Sequence, residues 1–215
     1  MGDLVDSIRK NIVEIARKAY NEGLVAGTSG NVSFFDRETE TLAITPSNLD
    51  YAVMKDEDIV LMRLDGTILE GIHKPSSEWR LHAELYKALE HVNAVMHTHS
   101  PRATSFAVLH QAIPLILVEM LPFLGGDIPL AAFGTPGTPD VGINAANAMT
   151  DRRFSCLLAN HGVVTVGKTL EHAHLRAVYV EDAATIYHFA RQLGEPHLVP
   201  ADAVAVLREK YGLKE

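Results

Sequence analysis

Leu4, Ile8, Ile12, Ile15 and Ala19 recur at spacings of three and four, which aligns them on one face of a first helix, and Gly23 stands where that helix can stop. After the glycine-rich stretch "GTSGN" the period shortens. The runs "NVSFF", "TLAIT", "IVLMRL" and "TILEG" read as short strands, and Asp65 with Gly66 supplies a hairpin turn between the last two. A helical period returns from residue 76 to about 89, followed by the strand "AVMHTHS". That strand runs into a helix for which Ser100 is the N-cap and Pro101 the first residue, a pairing that Thr138 and Pro139 repeat before "DVGINAANAM". "PLILV" and "IPLAAF" are further strand candidates, and "SCLLA" and "VVTVG" read as a strand pair around "NHG". A long helix from residue 169 to about 193, stopped by Gly194, precedes a last short helix and the tail "KYGLKE".

Strands and helices interleave, yet several strands are joined by hairpins. The expected fold class is therefore α/β of the α+β type, a largely antiparallel central sheet with helices packed on its faces. The 215 residues, free of repeats, linkers and biased segments, predict a single domain spanning 1–215.

Composition narrows the function. With 47% hydrophobic and 21% charged residues the chain has the make-up of an ordinary globular protein. A net charge of −8 without any lysine and arginine run offers nothing to a phosphate backbone or an anionic membrane, so neither nucleic acid nor membrane is an expected partner. The longest apolar stretch, "AIPLILVEMLPFL", is broken by two prolines and Glu119 and is too short to span a bilayer. The N-terminal segment alternates charge with apolar residues, unlike the core of a signal peptide, and the expected location is the cytoplasm. Cys156 is the single cysteine; it cannot form a disulfide within the chain and reads as a small core residue.

Most of the eleven histidines read as bystanders. His172 and His174, two apart on a helix, point in different directions and read as surface or internally satisfied residues, while His73, His91, His110, His188 and His197 have no partner legible in the sequence. His97 and His99 differ, because period two at a strand end sends both imidazoles to one face, as a metal chelate requires. His161, in the glycine turn "ANHGVV", is the candidate third ligand. Imidazoles without a cysteine cluster suit Zn²⁺ or another borderline divalent ion with one position left open for chemistry.

Two anion-binding features accompany this set. Ser76 and Ser77 offer hydroxyls at a helix start, where free backbone N–H groups and the helix dipole already favour an anion, and "GTSGN" brings backbone amides close to one. Glu78 then falls between the anion site and the metal, as a ligand in the resting site and a general base once substrate displaces it. His82, one turn on, is placed to support it, although packing is the simpler reading of that residue.

The set "GTSGN", "ITPSNLDY", "KPSSEW", "HTHS" and "NHG", in that order, resembles the class II aldolase/adducin family, and "KYGL" extends the likeness to the C-terminus. The likeness is greatest to members that cleave a deoxyketose 1-phosphate such as L-fuculose 1-phosphate into dihydroxyacetone phosphate and an aldehyde. The resemblance implies a three-layer fold with helices on both sheet faces and one zinc ion per subunit, held by His97, His99 and His161 and, before substrate arrives, by Glu78. It implies a substrate phosphate against Gly30, Asn31, Ser47, Asn48, Ser76 and Ser77, and a homotetramer with active sites at subunit boundaries, where Tyr211 reaches a neighbour's site. Zinc would stabilise the enediolate formed when Glu78 removes a proton. Two departures stand out: "IPLILVEMLPFLGG" lacks the tyrosine that the family's aldolases carry there, leaving Glu119 as its ionisable residue, and Asn48 stands where those enzymes have glycine. The family also contains L-ribulose-5-phosphate 4-epimerases, whose aspartate stands where Glu78 is here, dehydratases of a methylthioribulose 1-phosphate, 5-deoxyribulose-1-phosphate aldolases, decarboxylases of a 3-oxo-tetronate 4-phosphate, and the non-catalytic adducin scaffold.

Overall fold

A computed structural model describes residues 2–150 and 152–213. The first helix, α1 (Gly2–Asn21), leads into the strands β1 (Asn31–Asp36), β2 (Thr41–Ile44), β3 (Val60–Met62) and β4 (Ile68–Glu70). There follow α2 (Trp79–Ala88), β5 (Ala94–Thr98), α3 (Pro101–Val108), α4 (Met120–Leu124), β6 (Leu130–Ala131) and α5 (Pro139–Ala148). The hairpin β7 (Ser155–Leu158) and β8 (Gly162–Gly167), then α6 (Leu170–Leu193) and α7 (Ala201–Lys210), complete the order.

The eight strands form one sheet in the order β4-β3-β2-β1-β5-β8-β7-β6. Every adjacent pair is antiparallel except β6 with β7. Strand alternation sorts the core into layers. Val32, Ala94 and Met96 face α1 and α6, whereas Phe35, Val95 and Val164 face α2 and α5. A third cluster seats α3 and α4 on Leu157, Val163 and α6. Helices thus cover both faces of a mainly antiparallel sheet, as the sequence pattern predicts. Since Val95 faces α2, period two sends His97 to the same side.

The local differences have plain causes. "PLILV" builds no ladder; Ile113 alone bridges to Ile128, since Pro114 has no N–H to donate and the chain turns into the short α4, which the sequence reading lacks. Pro129 likewise limits β6 to two residues. The helix expected from residue 76 starts at Trp79, so Ser76 and Ser77 lie in the turn before it rather than in its first turn. Cys156 is buried and free, and burial pushes its thiol pKa up.

Among the described residues no helix is long and apolar enough to cross a membrane.

Candidate active site

Three neighbouring segments converge at one end of the sheet. Asn31 opens β1 directly opposite His97 on β5, and His97 in turn faces Val164 on β8. His99 lies just past the end of β5, and His161 in the turn joining β7 to β8, where Asn160 takes a left-handed φ of 54°. Gly162 makes that approach possible: a Cβ there would collide with the Thr98 carbonyl oxygen and crowd His99 Cδ2 at 3.1 Å and His97 Cε1 at 3.2 Å. Glu78, N-cap of α2, closes the cluster.

One ligand atom from each of Glu78, His97, His99 and His161 lies within 4.8 Å of the others. His97 Nε2 is 3.0 Å from His99 Nε2 and 3.1 Å from Glu78 Oε2, and His161 Nε2 is 3.1 Å from Glu78 Oε1. Ligand bonds of 2.0–2.2 Å in a tetrahedral site set neighbouring donors about 3.3–3.6 Å apart, between the shortest separations here, 3.0 and 3.1 Å, and the 4.8 Å limit of the cluster.

The hydrogen-bond inventory also calls for a cation. His97 Nδ1 donates to the Val163 carbonyl at 2.8 Å, so a neutral ring would turn a bare Nε2 lone pair toward the carboxylate, acceptor against acceptor. A proton or a metal ion must sit among them, and three imidazoles with one carboxylate form a donor set for a borderline divalent ion. Burial raises the Glu78 carboxyl, but hydrogen bonds to and the charges of His161 and His97 together hold it well below the usual carboxylate range. Burial, then the charges of His97 and His161, lowers His99 to about 4, leaving it neutral and ready to bind metal at neutral pH.

Beside the cluster lies a cavity of about 330 Å³ lined by Gly30, Asn31, Ser47, Asn48, Ser76 and Ser77, the six residues expected to hold the anion. Glu78 and His99 line it too, and Thr28 and Ser29 are additions the sequence reading lacks. The two serine segments meet through backbone pairing, Ser47 N–H donating to the Lys74 carbonyl and Ser76 N–H to that of Thr45, both at 3.0 Å. Asn48 occupies the left-handed region with φ 58°, a conformation asparagine tolerates well, which answers the departure from glycine. The lining holds hydroxyls, amides and backbone N–H groups without lysine or arginine among the described residues.

Other candidates fall elsewhere. Tyr211 caps the end of α7 at 41% exposure, away from this pocket's lining within one chain, and Glu119 is the N-cap of α4. His174 is buried and paired with Glu22 at 2.6 Å, His73 with Asp58 at 2.8 Å, and His110 and His188 bond to Asn160 and Gln192. His82, with Ser33 and Tyr86, is fully buried beneath the site; burial lowers its pKa to about 3. Its spacing of four from Glu78 was the sequence signal, whereas the strand partner Ser33 had none.

A sheet that gathers three imidazoles and a carboxylate beside a polar pocket has the make-up of a metal-dependent enzyme centre. The sequence matches the class II aldolase and adducin N-terminal domain over residues 10–188, and the chain belongs to that family. It is 38% identical to 5-deoxy-D-ribulose 1-phosphate aldolase of Bacillus thuringiensis serovar kurstaki over 97% of both chains. It is also 38% identical to the 5-methylthioribulose-1-phosphate/5-deoxyribulose-1-phosphate aldolase of Rhodospirillum rubrum, over 95% of this chain and 91% of that one. A solved L-fuculose 1-phosphate aldolase superposes with a TM-score of 0.90 at 35% identity, covering 96% of each chain. The protein is a class II aldolase, a lyase whose metal-binding residues are in place.

Proposed function

We propose that this aldolase uses zinc and reversibly cleaves a terminally deoxygenated ketose 1-phosphate, in the first instance 5-deoxyribulose 1-phosphate, to dihydroxyacetone phosphate and acetaldehyde. The observation that carries the reading is the place of Glu78, shared by the four-ligand cluster and the polar pocket. Likeness to two 5-deoxyribulose-phosphate aldolases favours a five-carbon substrate over the six-carbon one to which the motifs first point. L-Fuculose 1-phosphate, giving L-lactaldehyde, is the second reading, favoured by the structural match.

Bound by His97, His99 and His161, zinc would supply Lewis-acid polarisation of the substrate's carbonyl and hydroxyl oxygens. Glu78 moves the C3 proton: it abstracts it from dihydroxyacetone phosphate in condensation and returns it to C3 after the C3–C4 bond breaks in cleavage. The proton of the C4 hydroxyl leaves to a second group, for which Tyr211 contributed by a neighbouring subunit is the candidate. A donor from a neighbour goes with the proposed cytoplasmic homotetramer, and exposed apolar residues such as Val108, Leu109 and Phe189 offer surface for a subunit contact. Light scattering tests the assembly.

The function is tested with zinc-loaded protein in two assays, exchange of a C3 proton of dihydroxyacetone phosphate in D₂O, and release of that product from a panel of ketose 1-phosphates. Exchange together with fastest cleavage of 5-deoxyribulose 1-phosphate is expected. Absence of both from the zinc-loaded protein overturns the reading.

Phosphate recognition by hydroxyls gives a separate expectation. Ser76→Ala with Ser77→Ala removes two donors worth roughly 1 kcal/mol each, so KM for the phosphorylated ketose should rise about tenfold or more. An unphosphorylated ketose should be little affected; an equal effect on both would reduce the serines to local turn formers, a role Ser76 also has through its Oγ contact with the Glu78 N–H at 3.3 Å.

A further inference from the structure

Beneath the site, side chains of one strand and one helix interlock. Asn31 and Ser33 are two apart on β1 and share a face; Glu78, His82 and Tyr86 are four apart along α2 and share another. Asn31 is 3% exposed, and Ser33, His82 and Tyr86 are fully buried, so each polar atom there needs a partner. The contacts run in one line: Asn31 Nδ2 to Glu78 Oε2 at 3.1 Å, His82 Nε2 to Asn31 Oδ1, Ser33 Oγ to His82 Nδ1 at 2.6 Å, and Tyr86 Oη to Ser33 Oγ at 2.7 Å.

The direction of every proton in this line follows from its end. An ionised Glu78 only accepts, so Asn31 must present its NH₂ to it and turn Oδ1 toward His82. His82 must then carry its proton on Nε2 and accept at Nδ1, which makes the Ser33 hydroxyl a donor. Tyr86 is left to donate to Ser33, at Oγ or at the carbonyl 3.0 Å away. Were the Asn31 amide reversed, its oxygen would face the carboxylate.

We propose that His82 is a positioning residue that acts through Asn31: it fixes the amide so that one N–H steers the Glu78 base while the second stays available to the anion pocket. The inference rests on Glu78 being the proton-transfer group of the proposed aldolase. It makes Asn31 a bridge between phosphate and base, beyond a phosphate contact alone. His82 is kept neutral by its burial, as a fixed tautomer requires.

The test compares zinc-loaded wild type with His82→Leu, His82→Gln, Asn31→Leu and the His82→Leu, Asn31→Leu double variant. His82→Leu should bind zinc as wild type does yet slow C3 proton exchange by roughly 10- to 100-fold, the usual effect of removing a support behind a site residue. Glutamine, whose amide nitrogen can stand near the Nε2 position, should restore most of the rate. The double variant should be no slower than Asn31→Leu alone. Nitrogen NMR of the wild type should find the His82 proton on Nε2 at neutral pH, and Asn31→Leu should move that signal.

An active wild type with His82→Leu equally fast, with fully additive variants, or with the His82 proton on Nδ1 overturns the proposal. A wild type that neither exchanges nor cleaves removes the catalytic reading instead, and the NMR signature still decides whether the chain is polarised as described.

Discussion

Glu78→Gln is expected to keep the fold and most of the zinc while slowing C3 proton exchange of dihydroxyacetone phosphate by about 10²- to 10⁴-fold, the range general bases contribute. Glutamine matches glutamate in shape, and its amide oxygen can still accept from Asn31 Nδ2. It cannot take up a proton at C3. The three imidazoles remain, so zinc content measured by elemental analysis should stay near wild type. Aldol cleavage and exchange should fall together, because the same proton moves in both. An exchange rate unchanged in the variant would refute the role of Glu78, whatever happened to cleavage. Loss of zinc along with activity would instead make Glu78 chiefly a ligand. The low pKa of this carboxyl arises from its pairing with His161 and His97, and it describes the resting cluster. With the imidazoles engaged by a metal ion, that restraint on the basicity of Glu78 would be lifted.

Much of this was legible in the sequence, for physical reasons that differ by element. The 3.6-residue period of α1 and α6, the cap and proline pairs at α3 and α5, and the glycine at the β3–β4 turn are local signals that the fold has no cause to override. The period-two argument puts His97 and His99 on one side, and although β5 ends at Thr98 their Nε2 atoms do lie 3.0 Å apart. Local reading failed where prolines intervene. Pro114 and Pro129 reduce two apparent strands to a bridge and a two-residue ladder, and α4 is too short to show a period.

The residues that cluster in space were legible as candidates, and the network that joins them much less so. That His161 belongs with His97 depends on β8 lying beside β5, a pairing between distant segments that no spacing encodes. Asn31 is the sharper case. Its place in "GTSGN" made it a candidate anion ligand, but its contact with Glu78 follows only from β1 pairing with β5 and α2 crossing above them. Ser33 has no sequence signal at all, since one serine in a half-apolar strand is ordinary until a histidine is found against it.

Loss of one imidazole should have the other large effect. His161→Ala is expected to weaken zinc binding more than 100-fold, beyond the 10- to 100-fold typical of removing a group that merely supports a ligand, and to abolish measurable cleavage. The turn itself should survive, because its geometry depends on backbone: His161 N–H donates to the Leu158 carbonyl at 3.0 Å, and Gly162 provides the room for close approach. His161 Nδ1 has no hydrogen-bond partner among the described residues, so the ring's contacts are made on the Nε2 side, toward Glu78. In the wild type a chelator should lower the melting temperature, since zinc bound to the native state stabilises it by mass action. In His161→Ala the chelator should change little, there being little zinc to remove. His174→Ala serves as the control: that ring pairs with Glu22 on the α1 and α6 side, so its loss should lower stability without touching zinc affinity. Competition with a zinc indicator reads the affinity directly. Wild-type affinity in His161→Ala would remove this residue from the ligand set and leave the ion to Glu78, His97 and His99.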